Sequence, residues 1–285
     1  MGACGRRRRR ADCGSEREVS ARGRKNEEIG IQLPGLDPSM AYTSRLSARS
    51  ALYTDLCLLL DAVDRPLSSE DFRQIVIDQN CLARPSESAR RKIWKELKAR
   101  YVLDASNSLF AAFWLEWKRC GSEPERGLTA YCLLALNDKL VADLGLEFLF
   151  PRLRRAPAEL RVNDVLGFIK ASAAVHPEVM TWSDNTVTAV ARKYSASIRD
   201  FGLARGTVRK TTVRPALYGA PTRLLIRALR LVDTRDFDIV RAPIFKLIGL
   251  DGAEVIDALG ELNRQGALRF RMQGDIVELE LGGGR

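Results

Sequence analysis

From Ser47 onward the bulky apolar residues recur at spacings of three and four, the period of an amphipathic helix. Leu52, Leu56, Leu59 and Leu60 form a first stripe. Ser68-Ser69-Glu70-Asp71 supplies capping side chains for a second helix carrying Phe72, Ile75 and Val76. Ser86 caps a third after the Arg84-Pro85 break, with Ile93, Trp94 and Leu97 facing inward. The pattern continues through Leu109–Trp117, Leu128–Leu136 and Leu140–Phe150. Phe110, Phe113, Trp114 and Trp117 resemble a base-stacking platform in composition, but their helical spacing assigns them to a core. The stretch from Pro151 to Pro157 interrupts the series, which predicts a helical bundle over 40–157.

A second unit is predicted over 158–218. Asn163 or Asp164 caps a helix running through Ala174 and burying Val165, Leu166 and Ile169. His176-Pro177 breaks it, and a turn-borne His176 reads as a surface or capping residue and not a general base. Ser183-Asp184 then opens a long helix with Val187, Val190, Ala191, Tyr194, Ile198 and Phe201 within roughly ±60° of one direction. Asn185, Thr188, Arg192, Ser195 and Arg199 project away from that stripe, and Lys193 flanks the far side. Gly202 stops the helix and Gly206 turns a hairpin bearing Arg205, Arg209, Lys210 and Arg214. Residues 185–214 hold seven Arg or Lys against Asp200 alone.

Concentrated charge on a helix and hairpin is the footprint of a nucleic-acid reader. Arg and Asn suit base edges of the major groove, and Thr207, Thr211 and Thr212 add donors for phosphate oxygens. The competing reading is a solvated face. Arg91 and Lys95 on the third helix are secondary candidates for phosphate contact.

The remaining segment, 219–285, again places helices before a hairpin. Pro221–Val232 and Pro243–Ile248 read as helices, and Asp251 caps a third burying Val255, Leu259 and Leu262. Leu268, Phe270 and Met272 alternate against Val277, Leu279 and Leu281 across Gln273-Gly274. Residues 215–285 carry ten basic and ten acidic residues, and Glu278 and Glu280 on the last strand repel phosphate. This hairpin therefore reads as structural or protein-facing.

Residues 1–39 differ from the rest, with Arg6–Arg10, much Gly, Ser and Glu, and few bulky apolar residues before Ile29. Such a composition predicts a disordered basic tail. Met40 is a candidate biological start, testable by the intact mass of the native protein. The net charge of +10 favours polyanionic partners. Six cysteines without a C-x-x-C pair or zinc spacing read as reduced thiols of a cytoplasmic protein. No apolar run approaches the ~18 residues that span a bilayer. Neither a phosphate loop nor a catalytic, metal or cofactor motif is present, so no enzyme, cofactor or small-molecule substrate is predicted.

Three short stretches carry a family resemblance. They are Tyr42-Thr43-Ser44-Arg45-Leu46 before a leucine-rich helix, Trp182-Ser183-Asp184-Asn185-Thr186 before the long basic helix, and Ala242-Pro243-Ile244-Phe245-Lys246-Leu247 before the terminal hairpin. In this order, over about 41–281, the chain resembles BrxA, the small non-enzymatic component of bacteriophage exclusion (BREX) defence. The resemblance implies a mainly α fold, with a bundle likened to the antitermination factor NusB followed by winged-helix-like units with short β-hairpins. It also implies binding to double-stranded DNA. The inner-membrane label sometimes given to the family conflicts with the lack of a spanning segment. The alternatives are an RNA-binding or transcription-regulatory protein, and an adaptor docking other BREX proteins.

Overall fold

The computed structural model describes residues 33–282. Arg6–Arg10 and the rest of the expected tail as far as residue 32 lie outside the described residues. The last part of that tail corrects the expectation of disorder. Leu33 is buried, Leu36 packs against the core, and Gly35 N donates to Leu136 O at 3.0 Å. Two leucines separated by a turn give this segment an apolar anchor that its Pro- and Gly-rich composition conceals.

Five helices follow: α1 (Tyr53–Asp61), α2 (Ser69–Ile77), α3 (Glu87–Tyr101), α4 (Ser108–Trp117) and α5 (Glu123–Asn137). The starts of α2–α5 are where the capping chemistry puts them. Ser68 accepts from Asp71 N, Ser86 from Ala89 N, and Asn107 from Leu109 N and Phe110 N. Phe110, Phe113, Trp114 and Trp117 are buried together, with ring centroids 5.4 Å apart for Phe113 and Trp117, so the aromatic cluster is core.

The helical run then crosses the expected break. α6 (Lys139–Asp143) continues through a π-helical turn, Leu144–Leu149, into α7 (Phe150–Arg154), which carries Pro151 in its first turn. Phe150 N bonds to Gly145 O, five residues back. This widened turn accommodates a proline that would clash in a regular helix interior. The chain leaves the helix only after Arg154.

Next come α8 (Val162–Ala171), α9 (Asp184–Asp200), the short strands β1 (Ala204–Arg205) and β2 (Thr211–Thr212), and α10 (Gly219–Leu231). After α11 (Asp236–Ile239) and a 3-10 turn over Pro243–Ile248, α12 (Ala253–Arg264) leads into β3 (Arg269–Gln273) and β4 (Ile276–Glu280). Two expected caps differ. α8 starts one turn earlier, at Arg161, with Asn163 and Asp164 inside it, and α12 starts at Gly252 with no side-chain cap. The register pairs Phe270 with Leu279 and Met272 with Val277, as the alternation predicts. The fold is mainly helical with two short antiparallel hairpins. Among the described residues, no helix is long and apolar enough to cross a membrane.

α10 packs against α4 and α5, and one carboxylate fixes that contact. Glu116 of α4 is fully buried and accepts from Arg223 Nε at 2.7 Å and Arg227 Nε at 2.8 Å on α10, with Arg119 at 3.2 Å. An unpaired charge in that position would cost several kcal/mol, on the order of 3–5. The second hairpin is tied to the same region, because Leu279 N donates to Asp236 Oδ2 at 2.9 Å and Arg230 of α10 donates to Leu279 O.

Candidate nucleic-acid interface

α9 is positioned from both sides. Val187, Val190, Ala191, Tyr194, Ile198 and Phe201 are all buried, as the 3.6-residue period requires. Ser183 caps the helix by accepting from Thr186 N at 3.2 Å. The second side is covered by the segment around Arg45–Ser47, which packs along α9, and Ala51 N donates to Ser197 Oγ at 2.8 Å. This covering corrects one expected outward residue. Ser195 is buried and returns its hydroxyl to Ala191 O at 3.0 Å.

Asn185 and Arg192 are exposed, and Thr188 and Lys193 are half-buried. Asn185 and Lys193 are eight positions apart, about 12 Å along the helix axis at 1.5 Å per residue. Arg199 is not free. Its guanidinium bonds to Asp200, with Nε at 3.1 Å and Nη2 at 2.7 Å, so the single acid of this stretch neutralises one of the expected site residues.

The hairpin follows α9 directly, with Leu203 N bonded to Ile198 O at 2.9 Å. Ala204 pairs with Thr212 and Arg205 with Thr211, leaving residues 206–210 as the loop. Gly206 has φ +93°, and a Cβ there would meet Arg209 O at 2.0 Å, so the loop needs glycine. Arg205 and Arg209 are exposed. Lys210 is half-buried and donates to Thr207 O at 2.9 Å. Arg214 points elsewhere, toward Glu254 of α12 at 3.3 Å. Thr212, expected as a phosphate donor, is buried and instead donates to Arg152 O at 3.0 Å while accepting from Ala158 N at 3.0 Å.

That bond exposes a strand which the sequence does not announce. Leu160 N donates to Lys210 O and Thr212 N to Ala158 O, both at 2.8 Å, so residues 158–160 pair beside β2. Three residues after a proline offer no alternation to detect. Exposed Arg155 and Arg161 flank the added segment, with Arg161 held by Glu159 at 2.6 Å. This bond, with the charges of Arg161 and Arg209, pulls the Glu159 carboxyl below its ordinary range. Among the described residues Arg192, Lys193, Arg205 and Arg209 make no ion pair, and they run from mid-α9 to the hairpin loop. Of the secondary candidates, Arg91 is engaged by Glu87 (Nε at 2.8 Å), whereas Lys95 is exposed and makes no ion pair among the described residues.

His176 sits at the N-cap position of the 3-10 turn Pro177–Thr181 but is not a surface residue. It is buried, stacked on Tyr42 with centroids 3.6 Å apart, and its Nδ1 lies 3.2 Å from Glu178 Oε1. Tyr42 OH donates to Asp143 Oδ2 at 2.8 Å and Lys139 Nζ donates to Asp143 Oδ1 at 2.6 Å. This polar knot ties the segment preceding α1 to the α8–α9 connection and to α6. Among the described residues no three His, Cys, Asp or Glu side chains are grouped to hold a metal ion.

Fold and site together define a mainly helical protein with a cation-bearing helix and hairpin set beside a helical bundle. Residues 40–228 match the BrxA family, and the chain belongs to it, which associates the protein with BREX defence. The matched stretch runs from the segment before α1 into α10, with α12 and the second hairpin beyond it. No curated protein matches the chain.

Proposed function

We propose that this protein is a non-catalytic, double-stranded-DNA-binding accessory component of a BREX system, working in the cytoplasm. α9 enters the major groove in the manner of a winged-helix recognition helix, with Asn185, Thr188 and Arg192 facing base edges. The hairpin and Lys193 anchor phosphates. The observation that carries this reading is the run of unpaired, outward cations Arg192, Lys193, Arg205 and Arg209 on consecutive elements. Membership in the BrxA family supports the defence context.

Lys193, Arg205, Arg209 and Lys210 make up to four phosphate contacts, so log Kd against log salt should have a slope of magnitude about 3.6. Replacing both Arg192 and Lys193 by Ala should weaken duplex binding and, through the phosphate contact of Lys193, lower that slope by about 1. Unchanged affinity and slope would refute the assignment. Matched RNA competing as well as duplex DNA would move the reading to RNA. A second reading, docking of another BREX protein, is favoured by one observation: Met272 and Ile276 are exposed apolar residues near the turn of the second hairpin. Co-purification that survives high salt tests it.

A further inference from the structure

On the bundle, away from the hairpin residues, the C-terminal half of α3 and the loop before α4 wall a groove of about 760 Å³ together with Arg45. Three cations reach it, Arg45, Lys95 and Lys98, each exposed and without an ion pair among the described residues. The facing carboxylate, Asp104, is engaged by Ser106, whose N donates at 3.0 Å and Oγ at 2.8 Å. Those bonds hold its pKa below the ordinary value, so it stays ionised, and the groove carries three positive charges against one negative.

The walls are not a plain solvated helix face. Trp94 lines the groove from the core side, and Asn137 spends both amide hydrogens on Ala99 O (2.7 Å) and Arg100 O (3.1 Å), leaving its Oδ1 as an acceptor. Val102 adopts φ +44°, a left-handed conformation that a β-branched residue rarely takes. Such strained positions concentrate at binding sites. The volume lies in the range of small-ligand pockets. Clustered cations beside an aromatic and an amide acceptor match a phosphate group carrying a nucleoside.

We infer that this groove is a second anion site, binding the phosphates of a nucleotide through Arg45, Lys95 and Lys98, with Trp94 and Asn137 facing the nucleoside. The same chemistry is offered by a free nucleoside polyphosphate and by a single-stranded nucleic-acid segment. The groove shares no lining residue with the duplex contact assigned to α9 and the hairpin.

Calorimetric titration of the full chain with inorganic pyrophosphate, adenosine triphosphate and hexathymidylate tests the inference. Wild-type protein should bind at least adenosine triphosphate or hexathymidylate. The stronger of these two identifies the source, free nucleotide or strand. K95A/K98A should weaken binding of that ligand by about tenfold or more, since each lost cation removes charge-assisted bonds. Both lysines are exposed, so circular dichroism should show the fold retained. D104N, which keeps the acceptor for Ser106 but removes the repelling charge, should tighten binding. R192A/K193A should leave pyrophosphate and nucleotide affinity unchanged, which separates failure here from failure of the duplex reading. Absence of binding by both nucleotide and strand, full affinity in K95A/K98A, or weaker binding in D104N would each overturn it.

Discussion

The two hairpins follow similar helices yet differ in what chiefly holds them, although the second also takes polar ties from Asp236 and Arg230. The β1–β2 hairpin pairs only two residues per strand and carries a five-residue loop over 206–210. Its anchors are polar: the buried hydroxyl of Thr212, the bonds from residues 158–160, and a left-handed glycine. The β3–β4 hairpin pairs five residues per strand across Gly274-Asp275 and is anchored by Phe270 opposite Leu279, both buried. Its charges pair, as in Arg269–Glu280 at 3.4 Å and Arg241–Asp275 at 3.6 Å. A hairpin held by its own apolar cross-strand pair leaves its surface free to be neutral. One held from beneath by backbone and hydroxyl bonds leaves its whole outer side to cations.

Substitutions can break that contrast. The largest effect belongs to the second hairpin: L279A should cost about 2–5 kcal/mol in urea unfolding, as a cavity replaces a fully buried leucine. Its duplex affinity should stay at the wild-type value, and a parallel loss of binding would show that the hairpins do not divide the work as described. R205A/R209A should do the reverse. Melting should hold within about 0.5 kcal/mol for these exposed positions, while duplex affinity in gel-shift titration falls about ten- to a hundredfold. T212V keeps the shape but strands Ala158 N and Arg152 O, at a cost of about 1–3 kcal/mol by thermal unfolding. G206A should cost at least about 1–2 kcal/mol for a Cβ in a left-handed turn, and the clash of that Cβ with Arg209 O forces the loop to rearrange. Backbone amide exchange should localise its loosening to residues 203–212 and leave β3–β4 protected.

Local chemistry was legible at several helix starts and along α9, though not at the caps of α8 and α12. Ser68, Ser86 and Ser183 cap the helices they precede, and the apolar stripe of α9 is buried residue for residue. What escaped was set by distant chain. Ser195 lies buried in α9, against which the distant segment around Arg45–Ser47 packs, and His176 stacks on Tyr42, so neither burial has a local signature. Thr212 turns inward because residues 158–160 arrive beside it. Arg199 shows a different limit: adjacent helical residues point apart, yet at the last turn Asp200 and Arg199 meet. Arg214 is drawn away by Glu254, forty residues later.

Glu116 has a consequence for how such a molecule can vary. Because a single acid satisfies bases at positions 223 and 227, sliding α10 along α4 by even one residue would leave a guanidinium facing grease instead of its counterion. The joint therefore behaves as a keyed lock: the chemistry displayed by the terminal hairpin is free to drift, but the direction in which it is presented is not.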